Sequence, residues 1–192
     1  MGKSLLVTAT SSGAGKTLLI KTLLAYCQCH HPNLRVDTLQ LGPGPFLDLA
    51  QTWQDYSRAV KSTDLLFVEG LGGLGTPVTP ELIMADLARD WSLPIILMAT
   101  VNFDTVCQLV AHARLAQSCQ AKLHGIVLNC PQAYALDNCP IDLIPGLTYA
   151  PVLGVLPYVS SLFRDVSYLA NLAANLTIEP ILNLQLTNTS RG

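Results

Sequence analysis

The stretch Val7-Thr8-Ala9-Thr10-Ser11-Ser12-Gly13-Ala14-Gly15-Lys16-Thr17 decides how this chain folds. Leu5, Leu6 and Val7 read as a buried strand, the small residues after them as a loop, and Leu18, Leu19, Leu23 and Leu24 recur at helical spacing. Strand, loop and helix in that order frame a phosphate-binding loop. Glycines let the backbone curl until its amides face phosphate oxygens, a lysine adds charge, and a threonine hydroxyl can ligate magnesium. The helix that starts there presents its positive dipole end to an anion. The full pattern has glycine where this chain has Thr10, so the loop is a variant whose fixed part is Gly15-Lys16-Thr17.

Working outward, His31-Pro32-Asn33 is a turn, and residues 34–41 alternate well enough for a second strand, stopped by Gly42-Pro43-Gly44-Pro45. Residues 46–61 fit a helix with Phe46, Leu49, Ala50, Trp53 and Tyr56 on its apolar face. Leu65-Leu66-Phe67-Val68 is a wholly apolar strand ending in Glu69, followed by a glycine-rich loop over 70–75. The pattern then repeats: helix 81–91, strand 94–100, helix 104–119 capped by Asp104, strand 123–129, short helix 140–147, strand 152–156 and helix 162–176. Such alternation predicts a doubly wound α/β fold with a mostly parallel sheet and a ligand site at the carboxyl ends of its strands. One domain is expected over 1–187, with a frayed tail at 188–192.

Half of the 192 residues are apolar and the net charge is −2, which offers no basic field for nucleic acid or an anionic membrane surface. The longest apolar stretch, Leu93 to Val101, is broken by Pro94 and too short to span a bilayer, and the first residues lack a secretory apolar region. A soluble, cytoplasmic protein is expected. The six cysteines then read as reduced thiols. Cys27-Gln28-Cys29-His30-His31 has metal-ligand composition, but no second Cys/His pair follows at zinc spacing, and it reads better as a histidine-rich helix end.

The strand ends should gather Lys16, Thr17, Gln40, Glu69, Asn129 and Tyr158 on one edge of the sheet. Four apolar residues followed by Glu69 is how phosphate-transfer proteins set a carboxylate against a metal ion. Asn129 is either a turn former before Pro131 or a strand-end ligand.

Taken together, Thr8 to Thr17, Val68-Glu69-Gly70-Leu71-Gly72-Gly73 with Thr76-Pro77-Val78, Leu93 to Leu97, Gly125-Ile126-Val127-Leu128-Asn129 and Leu153-Gly154-Val155-Leu156-Pro157-Tyr158 resemble the successive motifs of the ATP-dependent dethiobiotin synthetases. The resemblance covers most of the chain, in order. It implies a P-loop NTPase-like homodimer that makes the ureido ring of dethiobiotin from 7,8-diaminononanoate, CO2 and MgATP, with ADP and phosphate as products. A carbamate on one amine would take the γ-phosphoryl group, and the other amine would close the ring.

Position by position, the resemblance implies that Gly13, Ala14, Gly15, Lys16, Thr17 and Leu18 cradle ATP, with Gly70, Leu71 and Gly72 beside it. Lys16 would neutralise phosphate and carbamate, Ser12 would stand near the carbamate, and Thr17 and Glu69 would hold Mg2+. Asn129, Cys130, Pro157, Tyr158 and Val159 would border the adenine. Two departures stand out. Where the family shows Lys-Pro-Val after the second strand, this chain has Gln40-Leu41-Gly42, and the long segment that follows in the family, with another metal carboxylate, is short here. Asp48 is the candidate for that carboxylate. Gln40, standing at a catalytic lysine position without its charge, is expected to limit the reaction. The alternative is therefore a catalytically impaired or repurposed ATP-binding paralogue with a binding or regulatory role. A partitioning ATPase would need a second lysine early in the loop, where Ser11 stands.

Overall fold

Strands that are apolar without interruption need cover on both faces, and a computed structural model of the chain supplies it. The structure describes residues 2–42, 44, 46–132, 139–158 and 165–182. Six strands, β1 (Lys3–Ala9), β2 (Val36–Gln40), β3 (Leu65–Glu69), β4 (Ile95–Thr100), β5 (Leu123–Asn129) and β6 (Val152–Leu156), form one all-parallel sheet in the order β2-β3-β1-β4-β5-β6. The helices are α1 (Lys16–His30), α2 (Leu49–Ser62), α3 (Met84–Asp90), α4 (Thr105–Ser118), α5 (Ile144–Thr148), α6 (Val166–Leu172) and α7 (Ile178–Leu182). The crossover after β1 leads towards one edge of the sheet and the crossover after β4 towards the other. The topological switch point therefore falls beside the end of β1, where ligands bind in such folds.

Alternate residues of one strand serve different layers. Leu5 and Val7 pack with Phe67, Met98 and, from α1, Leu19 and Leu23, while Leu6 packs with Val68, Leu97 and, from α2, α3 and α4, Val60, Leu87 and Leu109. All of these side chains are buried. Removing the Phe67 ring in a Phe67→Ala variant would cost about 3–5 kcal/mol, the usual toll of a cavity in a packed core.

Several elements differ from expectation. Helix α3 starts at Met84 rather than 81, because Pro77 and Ile83 form an antiparallel bridge and the Asp86 carboxylate accepts from the Ile83 amide at 3.0 Å. Helix α2 buries Tyr56 and Val60, while Phe46 and Trp53 of the expected apolar face stay 51% and 46% exposed. Asp104 is the N-cap residue of α4, as expected, but among the described residues its carboxylate makes no cap bond: its own amide donates to Asn102 Oδ1 (2.8 Å), and the Thr105 hydroxyl accepts from the Asn102 amide (2.7 Å). The last helix is split. Asp165 caps α6 through the Tyr168 amide, a 3-10 turn covers Ala173–Asn175, and Thr177 N–H donates to Leu153 O (2.6 Å) before α7 begins. Residues 162–164 of that expected helix, and the tail at 188–192, lie outside the described residues.

Candidate functional site

Beyond Ala9 the chain leaves the sheet and turns back on itself through two glycines in the left-handed region, Gly13 (φ 76°) and Gly15 (φ 103°). L side chains rarely adopt that conformation, so the loop's shape depends on glycine there. Gly15 is the N-cap of α1, and Leu19 N–H donates to its carbonyl at 3.0 Å. Ser11, Ser12, Gly13 and Thr17 are exposed, Lys16 and Leu18 are half-buried, and Ala14 is buried beneath them. The Thr10 hydroxyl is buried at the root of the loop and has no hydrogen-bond partner among the described residues.

Two strand ends meet at the first turn of α1. Thr17 Oγ1 donates to Glu69 Oε1 at 2.6 Å, and β3 carries Glu69 there because Val7 and Glu69 are register partners. A hydroxyl and a carboxylate are hard oxygen donors, and Mg2+ takes one or two carboxylates together with phosphate oxygens and water, so the pair fits that ion. The loop after Glu69 folds over β1: Gly70 N–H donates to Val7 O (2.9 Å), and Gly72 O accepts from Thr8 Oγ1 (2.6 Å) and Ala9 N–H (3.2 Å). Leu71 is half-buried along this loop.

Asn129, at the end of β5, reaches the phosphate loop directly. Its Nδ2 donates to Ala14 O (3.1 Å), and a Cβ on Gly15 would lie 2.8 Å from that nitrogen. Asn129 is thus a clamp on the loop as well as a strand-end residue, a contact that no sequence spacing discloses. Cys130 is buried, its amide bound to Leu156 O (2.9 Å) and its thiol pushed up by burial. Pro157 and Tyr158 are exposed beside it, and Val159 lies outside the described residues.

Gln40 is exposed at the end of β2, in register with Glu69. Asp48 is engaged elsewhere. As N-cap of α2 its Oδ1 accepts from the Gln51 amide (3.0 Å), and no described contact joins it to Thr17 or Glu69. The Cys27 to His31 stretch forms the last turn of α1 and its cap. Tyr26 packs against the rings of His30 and His31, and burial pushes the Cys27 thiol up to about 11. Among the described residues no three His, Cys, Asp or Glu converge as a metal cluster.

An all-parallel sheet with a glycine-shaped loop leading into α1 and a carboxylate on the neighbouring strand defines the P-loop nucleotide-binding class. Solved structures of that class align with it: the MinD cell division protein of Aquifex aeolicus (TM-score 0.62, 12% identity, 94% of each chain) and a ParA family ATPase of Chlorobium tepidum (TM-score 0.58, 9% identity, 94% and 93% of the two chains). At such identity the likeness is one of fold. Residues 44–165 match the AAA domain family. Over 225 aligned positions the chain is 33% identical to an ATP-dependent dethiobiotin synthetase of Gloeothece citriformis, covering 94% of this chain and 99% of the relative. A second, from Crocosphaera subtropica, is 31% identical over 92% and 98% of the two. The chain belongs to the ATP-dependent dethiobiotin synthetase family. An alignment of 225 positions onto 192 residues leaves at least 33 positions without a counterpart here, which agrees with a shortened segment.

Proposed function

We propose that this chain is an ATP-dependent dethiobiotin synthetase, a cyclo-ligase of biotin biosynthesis that closes the ureido ring from 7,8-diaminononanoate and CO2 at the expense of MgATP. The observation that carries the reading is the Thr17–Glu69 contact at the mouth of the glycine loop. MgATP supplies the phosphoryl group; the chain's own residues bind, orient and neutralise. Backbone amides of Gly13 to Leu18 surround phosphate oxygens, and Lys16 offsets the repulsion between phosphate and carbamate. Thr17 and Glu69 would hold the metal, Ser12 would stand by the carbamate, and Asn129 with Cys130, Pro157 and Tyr158 would border the base. Asp48 would have to give up its cap to join the metal. These roles are mostly positioning and charge neutralisation, which suffices for phosphoryl transfer.

Magnesium dependence, a homodimer, a single domain over 1–187 and a cytoplasmic location belong to the same proposal, without nucleic acid or membrane as partner. A second copy would give cover to exposed Phe103 (93%), Tyr149 (76%) and Leu143 (55%), and no helix among the described residues is long and apolar enough to cross a membrane. Gln40 keeps an impaired ATP-binding paralogue as a second reading. Incubation with MgATP, bicarbonate and diaminononanoate decides between them. ADP and a ureido product support the synthetase, whereas MgATP binding without product supports the paralogue. Light scattering at micromolar protein tests the dimer, which a monomer would refute.

A further inference from the structure

The glycine-rich loop after Glu69 is held from two sides. On the sheet side stand the bonds from Thr8, Ala9 and Gly70 already described. On the other side stands His112 of α4, a half-buried residue whose ring reaches the loop at Gly73. A Cβ at Gly73 would lie 2.7 Å from His112 Nε2 and 3.0 Å from Ala9 O, so the ring edge, the loop and the last carbonyl of β1 leave no room for a methyl group. The other ring nitrogen is committed: Nδ1 lies 2.9 Å from Gln108 O, one turn back on the same helix. A carbonyl only accepts, so Nδ1 carries a proton and the ring is fixed in orientation. Leu115, the next residue on that helix face, meets the loop again, its Cδ2 lying 3.5 Å from a Cβ placed at Gly75.

We propose that His112 is a positioning residue for the phosphate edge. Its ring edge presses the loop over 70–75 against the root of the phosphate-binding loop, and so keeps Gly70 to Gly72 beside the Thr17–Glu69 pair. It touches no reacting atom. The inference rests on the synthetase reading only where turnover is measured.

Two isosteric substitutions separate the ring's two nitrogens. The amide nitrogen of His112→Asn stands in for Nδ1, keeping the bond to Gln108 O but emptying the edge at Gly73. That of His112→Gln stands in for Nε2 and refills the edge. Hydrogen exchange of the 70–76 backbone in the ligand-free protein should quicken about tenfold in His112→Asn, stay near wild type in His112→Gln, and change nowhere else in the sheet. Calorimetry should show weaker MgATP binding by His112→Asn, rescued by glutamine. Dethiobiotin turnover should fall about tenfold in kcat with little change in the diaminononanoate KM, as for a displaced positioning group. Gly73→Ala should cost less activity in a His112→Ala background than in wild type, because one of its two clashes is then gone. Unaltered exchange over 70–76, or a lower Tm with exchange and MgATP affinity untouched, would overturn the proposal. If the wild type makes no dethiobiotin, the proposed function fails, while exchange and MgATP titration still decide on His112.

Discussion

Strand β3 is flanked by two carboxylates, and their partners give them opposite uses. Asp64, just before the strand, meets Arg35 in a two-pronged contact, Nη2 to Oδ1 at 2.8 Å and Nε to Oδ2 at 3.1 Å, with the Arg35 amide adding a third bond at 3.0 Å. The guanidinium holds its carboxyl down to about 2. Glu69, at the other end, meets a neutral hydroxyl, and its register neighbour Gln40 is neutral too. A carboxylate closed by a guanidinium ties two crossovers together; one facing a hydroxyl keeps its charge for a cation that arrives with a ligand. One residue class on one strand thus does structural work at the amino edge and is poised for ligand work at the carboxyl edge.

The largest expected effect comes from removing the cation on which the carboxyl edge depends. Lys16→Ala should lower MgATP affinity by about 100-fold or more, the scale on which deletion of a charged, preorganised group acts. Equal calorimetric affinity in variant and wild type would refute the site. Next is the wild type itself. With Gln40 in place of a charged donor, its turnover should lie about 10²–10³ below that of relatives carrying the family's lysine, on the scale of single-donor deletions. A matching rate would mean that another cation has taken the role. Glu69→Gln should follow, with turnover falling about 100-fold and more Mg2+ needed for half-maximal rate, while metal-free nucleotide binding changes little. An unchanged Mg2+ dependence would erase the contrast with Asp64.

The fold was legible wherever one local rule governed. Strands β5 and β6 occupy the residues that their apolar runs mark, and α1 begins where Gly15-Lys16-Thr17 places it. Boundaries slipped where tertiary bonds overrode periodicity, as at α3, where the Pro77–Ile83 bridge takes residues that also fit a helix. The Thr17–Glu69 pair was legible because each residue ends a recognisable unit and parallel topology sets those ends side by side. Asn129 against Ala14 and His112 against Gly73 were not, since both join residues far apart in sequence through side chains that no spacing rule covers. Asp48 reads in sequence only as an available acid. Its use as the cap of α2 depends on where that helix starts.

The smallest expected effect lies at the amino edge and concerns stability alone. Asp64 has its pKa lowered from 3.8 to about 2 in the folded chain, first by hydrogen bonds from Arg35. A depressed folded value means that the pair's contribution is complete above the unfolded value, near pH 4, and drains away as pH falls towards 2. Arg35 stays charged throughout, so it adds no slope of its own. The pair is exposed, and added salt should shrink its contribution. Asp64→Asn should therefore lower Tm slightly at neutral pH and flatten the fall of Tm between pH 4 and 2, the difference fading at 1 M salt. MgATP affinity should not change, because the substitution sits at the edge of the sheet opposite Lys16 and Glu69. If Asp64→Asn weakened MgATP binding as much as Glu69→Gln, the division of labour between the two ends of β3 would fail, and the amino edge would have to be counted as part of the nucleotide site.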